Sequence, residues 1–171
     1  MRLKFDKDFY KKIFFAFLIT LLIFLLSKDD LIWSNFWSTL KIPPNYIAFS
    51  DFKAHVYFLE CFYQNIDIHK EECHLINEGN AKISSHPKIW IYLFDFLNLD
   101  NNSIFNFSVF ILLFFYFFCL FDYLKKFKKS SHKFFFFLLF FSTTNFILIE
   151  RLSTDIVIFL ISYILIISNK K

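Results

Sequence analysis

Ile104–Phe121 reads IFNFSVFILLFFYFFCLF, eighteen residues without a charge. Crossing a hydrocarbon core of ~30 Å takes about 20 helical residues, so this run and its flanks are long enough to span a bilayer. Three further apolar runs stand out: Ile13–Leu26, Phe134–Ile149 and Ile156–Ile167. The first and last are short unless their flanks contribute. Lys11 and Lys12 can snorkel away from the first, and Ser153 with Asp155 can sit at the interfacial end of the last.

The rest of the composition agrees with that reading. The chain has 171 residues, is 57% hydrophobic, and contains 30 Phe and a single Gly. A water-soluble domain of this length has too little interior to hide so much apolar surface. The excess is expected to face lipid, and the lipid bilayer is the first partner implied. The formal charge of +4 is gathered in short blocks beside apolar runs instead of forming an extended basic face. One glycine cannot build a P-loop or a dinucleotide turn, and no zinc-finger or RNA-binding signature occurs, so no nucleic acid is expected as a partner.

Lys and Arg positions orient the runs. Arg2, Lys4, Lys7, Lys11 and Lys12 precede the first, five Lys fall between Lys125 and Lys133, and Lys170 with Lys171 close the sequence. All three blocks belong in the cytoplasm. The stretch from Lys28 to Ser103 has six Lys against ten acidic residues, and Glu150–Thr154 holds only Arg151, so both fit the outer side. A cleaved secretory signal is disfavoured, because Ser27-Lys28-Asp29-Asp30 lacks a small-x-small cleavage pattern.

The expected fold class is therefore an all-α membrane protein with about four transmembrane helices. It comprises a cytoplasmic arm at 1–10, helices at 11–27, 104–123, 134–150 and 155–169, an extracytoplasmic loop at 28–103, a basic cytoplasmic loop at 124–133 and a short outer turn at 151–154. The chain is expected in the cell membrane, multi-pass, with both termini cytoplasmic.

The long loop is too aromatic for a disordered tether and is expected to fold or to lie on the membrane. Pro43-Pro44 breaks it early, and Asp51–Tyr63 reads as an amphipathic helix capped by Ser50, with Phe52, Val56, Leu59 and Tyr63 on one face. Gly79-Asn80 marks a turn. Ile89–Phe96 is a second apolar segment, its start set by Pro87 and its end near Asn101-Asn102.

Several groups could carry chemistry, each with a plainer alternative. Cys61 and Cys73 share the outer loop, where an oxidising compartment would let them pair or leave them as separate thiols. Cys119 reads as a small buried hydrophobe. His55, His69, His74 and His86 with the loop cysteines lack the tight ligand pairs of a zinc module and read first as ordinary surface groups. No cofactor is expected, with a divalent metal left open. Asp51 is either a first-turn acid favoured by the helix dipole or a general base at the membrane surface. Glu150, Arg151 and Asp155 border the junction of the last two runs. Arg151 and Asp155 would share a face on a continuous helix and could pair. Ionisable groups at membrane depth suggest function, yet a two-helix hairpin also needs a polar turn.

Three patches, in order, resemble the N-terminal part of GT-C superfamily membrane glycosyltransferases, bacterial relatives of the polyprenyl-phosphate-sugar-dependent mannosyl- and arabinofuranosyltransferases. They are Phe49-Ser50-Asp51-Phe52, then Cys73 followed by Ser85-His86-Pro87-Lys88-Ile89-Trp90, and Ile149-Glu150-Arg151-Leu152-Ser153-Thr154-Asp155. His86 stands where that pattern has Tyr, and Leu152-Ser153 where it has Gly-Asn. The resemblance implies inverting transfer of a sugar from a lipid-linked phosphate donor to an acceptor on the outer face. Asp51 would be the catalytic base and Arg151 the donor-phosphate ligand, supported by Glu150, Asp155 and His86. Family members carry more spans, so the chain is expected to be truncated, inactive alone, or completed by a partner chain that supplies the missing helices. The alternative function is a small non-enzymatic membrane subunit or scaffold of a larger complex. A transporter is disfavoured because almost no ionisable groups line the spans.

Overall fold

The computed structural model describes residues 7–43, 47–71, 73–74, 81–82, 88–126, 142–153 and 155–168. Among the described residues there are seven helices and one two-residue antiparallel pairing. The chain divides into two compact units, one made of residues 1–49 and 110–171 and the other of residues 50–109.

In the first unit, α1 (Lys7–Leu26) begins four residues before its expected start, with Asp8 in the first turn, where the helix dipole favours an acid. It buries only Ala16, Thr20 and Ile23, a narrow stripe at i, i+4 and i+7. Phe14, Phe15, Phe17, Leu18, Leu22 and Leu25 are all exposed. A short turn follows, with the Ser27 hydroxyl donating to the Phe24 carbonyl.

Next comes α2 (Asp30–Thr39), a helix within the expected loop that the expected elements do not include. Its signal is local. The Asp29 carboxylate accepts from the N–H groups of Leu31 at 2.9 Å and Ile32 at 3.0 Å, an N-cap. Four residues apart, Trp33 and Trp37 are buried and meet edge to face at 5.3 Å.

Helix α5 (Asn102–Lys126) runs from the second unit into the first. It is longer at both ends than the expected span. The Asn101 side chain accepts from Ser103 N–H at 2.9 Å, so the Asn pair read as the end of the preceding segment instead starts this helix. Within the first unit α5 lies antiparallel to α1: Phe9 meets Phe118 and Phe17 meets Phe110, each at 5.8 Å, while Lys12 is ion-paired to Asp122. The Tyr163 hydroxyl donates to the other oxygen of the same carboxylate.

The unit closes with α6 (Thr143–Arg151) and α7 (Asp155–Ser168). Residues 134–141 of the expected third span, and all but the first three residues of the basic loop before it, lie outside the described residues. Ser142 caps α6 by accepting from Asn145 N–H. At 14 residues α7 is about 21 Å long, short of a full span by itself. Among the described residues two helices, Lys7–Leu26 and the Asn102–Tyr123 part of α5, are long and apolar enough to cross a membrane.

The second unit holds α3 (Ser50–Tyr63), the paired β1 (Cys73–His74) and β2 (Ala81–Lys82), and α4 (Ile89–Phe96). Ser50 is the first residue of α3 rather than a cap ahead of it. The buried face also differs from expectation: Phe52, His55, Phe58, Leu59 and Cys61 turn inward, Val56 is half-buried and Tyr63 is exposed. The reason is that two neighbours, not one, cover α3. Phe52 meets Phe94 of α4 at 5.2 Å and Phe105 of α5 at 5.3 Å, which widens the buried arc. Cys61 and Cys73 form a disulfide with Cα atoms 6.0 Å apart, fixing the end of α3 to β1. The turn at Gly79-Asn80 lies outside the described residues.

Candidate functional site

The end of α6 joins distant sequence in the first unit. Its last turn contains Ile149, Glu150 and Arg151, and Leu152 then adopts a left-handed conformation (φ 49°, ψ 53°) that stops the helix. A branched side chain there is costly, since the left-handed region crowds Cβ and favours glycine. The chain has one glycine, elsewhere, so packing must hold Leu152 in place, and it is almost wholly buried.

Phe49 is a second buried residue with positive φ, at 58°. Its N–H donates to the carbonyl of Glu150 at 3.2 Å. The two left-handed positions thus bracket one peptide group, and strained backbone of this kind persists where surroundings over-determine it. Trp33 packs on Phe49 at 5.0 Å, and Trp37 lies 6.1 Å from Phe146, one turn before Glu150. Neither buried indole N–H has an acceptor among the described residues.

The Glu150 side chain is fully buried, whereas Arg151 is 39% exposed with Nε 3.7 Å from a Glu150 carboxylate oxygen. That separation is an ion pair, too long for a hydrogen bond. The expected Arg151–Asp155 pairing is absent, because Leu152 breaks the helix that would have put them on one face. Asp155 instead accepts from the Ser153 hydroxyl at 3.2 Å while its own N–H donates back to that oxygen, a local cap for α7. Chemically the turn offers a guanidinium with one edge against a carboxylate and part of its surface accessible.

Asp51 is half-buried in the first turn of α3, in the other unit. One turn on, His55 is buried against Phe94 at 5.2 Å and Trp90 at 6.5 Å. His86 lies outside the described residues. With both cysteine sulfurs in the disulfide, neither offers a thiolate to a metal, and no group of three or more acidic, His or Cys residues comes together among the described residues. Cys119 is buried in α5 and remains a thiol.

A second polar centre was not legible in the sequence. Lys88, 3.3 Å away, and Lys70, 3.5 Å away, both pair with Asp67 beside an open hollow of about 440 Å³ lined by Phe62, Tyr63, Asn65 and Ile66. The His69 N–H, more than Lys88, holds the Asp67 carboxyl below its ordinary range and outweighs its partial desolvation. Nearby, the Tyr63 hydroxyl donates to Asp95, which pushes its pKa up to about 12.

Comparison of the chain with protein-family profiles, with curated proteins and with solved structures finds no match.

Proposed function

We propose that the chain is a multi-pass protein of the cell membrane, with both termini cytoplasmic, that handles a lipid-linked sugar phosphate at the Glu150–Arg151 turn as a relative of polyprenyl-phosphate-sugar transferases. The observation that carries the reading is the hydrogen bond from Phe49 N–H to the Glu150 carbonyl, with both ends buried in aromatic packing. It ties together two of the three patches on which the resemblance rests, although a hundred residues separate them. Membrane placement is supported by the two long apolar helices and by their antiparallel contact, which brings Lys11 and Lys12 to the same end as Lys125 and Lys126.

In the proposed reaction a general base takes the acceptor hydroxyl proton, the acceptor oxygen bonds to the sugar's anomeric carbon, and the bond from that carbon to the lipid phosphate breaks with inversion. The electron pair leaves on the phosphate, where Arg151 stabilises the charge. A guanidinium presents a planar fork that an ammonium cannot reproduce. Arg151→Lys should therefore weaken binding of a polyprenyl-phosphate sugar to the detergent-purified protein at least tenfold, with thermal stability changed by less than about 1 kcal/mol.

A second reading, a non-enzymatic subunit, is favoured by Glu150 itself. Its carboxylate already offsets the Arg151 charge, and the exposed faces of α1 leave room for a partner chain's helices. Unchanged donor binding in Arg151→Lys would leave Arg151 as a turn element and select this reading.

A further inference from the structure

Helix α4 presents an unusual surface. Ile91 and Phe94 point inward, while Ile89, Tyr92, Leu93, Phe96 and Leu97, at i, i+3, i+4, i+7 and i+8, are all exposed, Ile89 at 70% and Phe96 at 84%. At 100° per residue those five positions fill one arc without a charged side chain. Lys88 precedes the helix, and Asp95, hydrogen-bonded to Tyr63, falls on the flank between the exposed arc and the buried one. A helix packed on one side against its own unit and apolar on the other is not finished by the contacts it makes.

What covers the arc follows from where α4 sits in the chain. Only residues 97–101 separate it from α5, the longer of the two described helices able to cross a membrane, so its end lies within about 22 Å of the start of that helix. The five side chains expose roughly 500 Å², less than the ~800 Å² per partner of a stable protein interface. An apolar face flanked by a Tyr and by charged groups suits the headgroup boundary, where amphipathic helices lie flat with one side in the acyl region. Accordingly, we infer that α4 is an interfacial helix that seats Ile89, Tyr92, Leu93, Phe96 and Leu97 in the surface of the same bilayer that α5 crosses.

This inference rests on the membrane reading above, and its test separates the two. Nitroxide labels are placed one at a time at Phe96→Cys, at Phe107→Cys on the exposed side of α5 and at Gln64→Cys beyond the end of α3. All are made in a Cys119→Ala background that keeps the Cys61–Cys73 disulfide, with the full chain reconstituted in phospholipid nanodiscs. All three labelled sites are exposed, so the substitutions remove little packing. At Phe96 and Phe107, collisions with dissolved oxygen should exceed those with a water-soluble nickel chelate several-fold, and the order should reverse at Gln64. A nickel-accessible Phe96 label beside an oxygen-rich Phe107 label would overturn the interfacial helix and leave the span intact. Shielding of Phe96 from both reagents would also overturn it, in favour of a protein contact. Nickel access at both positions would remove the membrane reading itself.

Discussion

Helix α1 has 20 residues and buries three of them, whereas α3 has 14 and buries five. The difference follows from what each is built to face. From Phe14 onward the exposed side chains of α1 are Phe and Leu, which would cost free energy against water but not against lipid. Off its buried face α3 carries Lys53 and Glu60, both half-buried, and the exposed Tyr63, which tolerate water, and its inward face is closed by α4, by the start of α5 and by a covalent bond to β1. Where the solvent is apolar, burial between helices adds little driving force and a narrow stripe suffices. Where it is water, a unit of about sixty residues has a marginal core and gains from a staple.

That contrast can be broken most sharply at Trp37. The indole is nearly fully buried, and Trp37→Ala should cost about 3–5 kcal/mol in the first unit. Thermal unfolding in detergent, read beside protease resistance of residues 50–109, checks it. Loss confined to the first unit sustains the division, and simultaneous collapse of both would refute it.

The disulfide probes the other unit. Its sequence separation is 12 residues, and replacing both Cys61 and Cys73 by Ser should remove roughly 3 kcal/mol, the chain-entropy value for a loop of this size. Urea titration of proteolytic protection in residues 50–109 gives the change. Intact mass of the native chain after alkylation, with and without reductant, tests the bond itself; two alkylated loop thiols without reductant would exclude it.

A smaller effect is expected where α1, α5 and α7 meet. Asp122 receives both Lys12 and Tyr163, and Asp122→Asn keeps an acceptor while removing the charge. The loss should be about 1–2 kcal/mol, in the range for hydrogen bonds to charged groups, and Lys12→Met should add little to it in the double variant. Fully additive losses would show that the two residues act separately.

The smallest effect concerns pH. Tyr63 binds its proton more tightly in the fold, its pKa raised from 10.0 to about 12 by the hydrogen bond to Asp95. The unfolded chain releases that proton first, so the contribution is fully present below pH 10 and is lost as pH rises through about 12. Tyr63→Phe should abolish this slope in the second unit without affecting the first. Phenolate absorbance near 295 nm follows the titration.

Several of these features were legible in residues alone because their causes are local. An uninterrupted apolar run is enough to mark α1 and α5, and the apolar segment Ile89–Phe96 became α4. Asp29 before Leu31-Ile32, with Trp33 and Trp37 one turn apart, was an equally local sign of α2 that aromatic content alone had obscured. The inward face of α3 was misjudged at Tyr63 because a helical wheel assumes one covering neighbour and this helix has two. The Arg151–Asp155 pairing failed for a related reason: spacing rules presuppose a continuous helix, and nothing local announces a left-handed leucine.

The sequence by itself determined which segments are apolar enough to leave water, where the basic blocks lie and which residues can cap a helix, since hydropathy, charge and hydrogen-bonding capacity belong to side chains wherever they sit. Only the tertiary structure decided that Phe49 binds the Glu150 carbonyl, that Glu150 is buried against Arg151, and that Asp122 gathers Lys12 and Tyr163. Each of those contacts joins residues whose own neighbours do not specify it, or depends on a backbone conformation that only surrounding packing can hold. The free energy that selects them comes from closing the whole aromatic core at once.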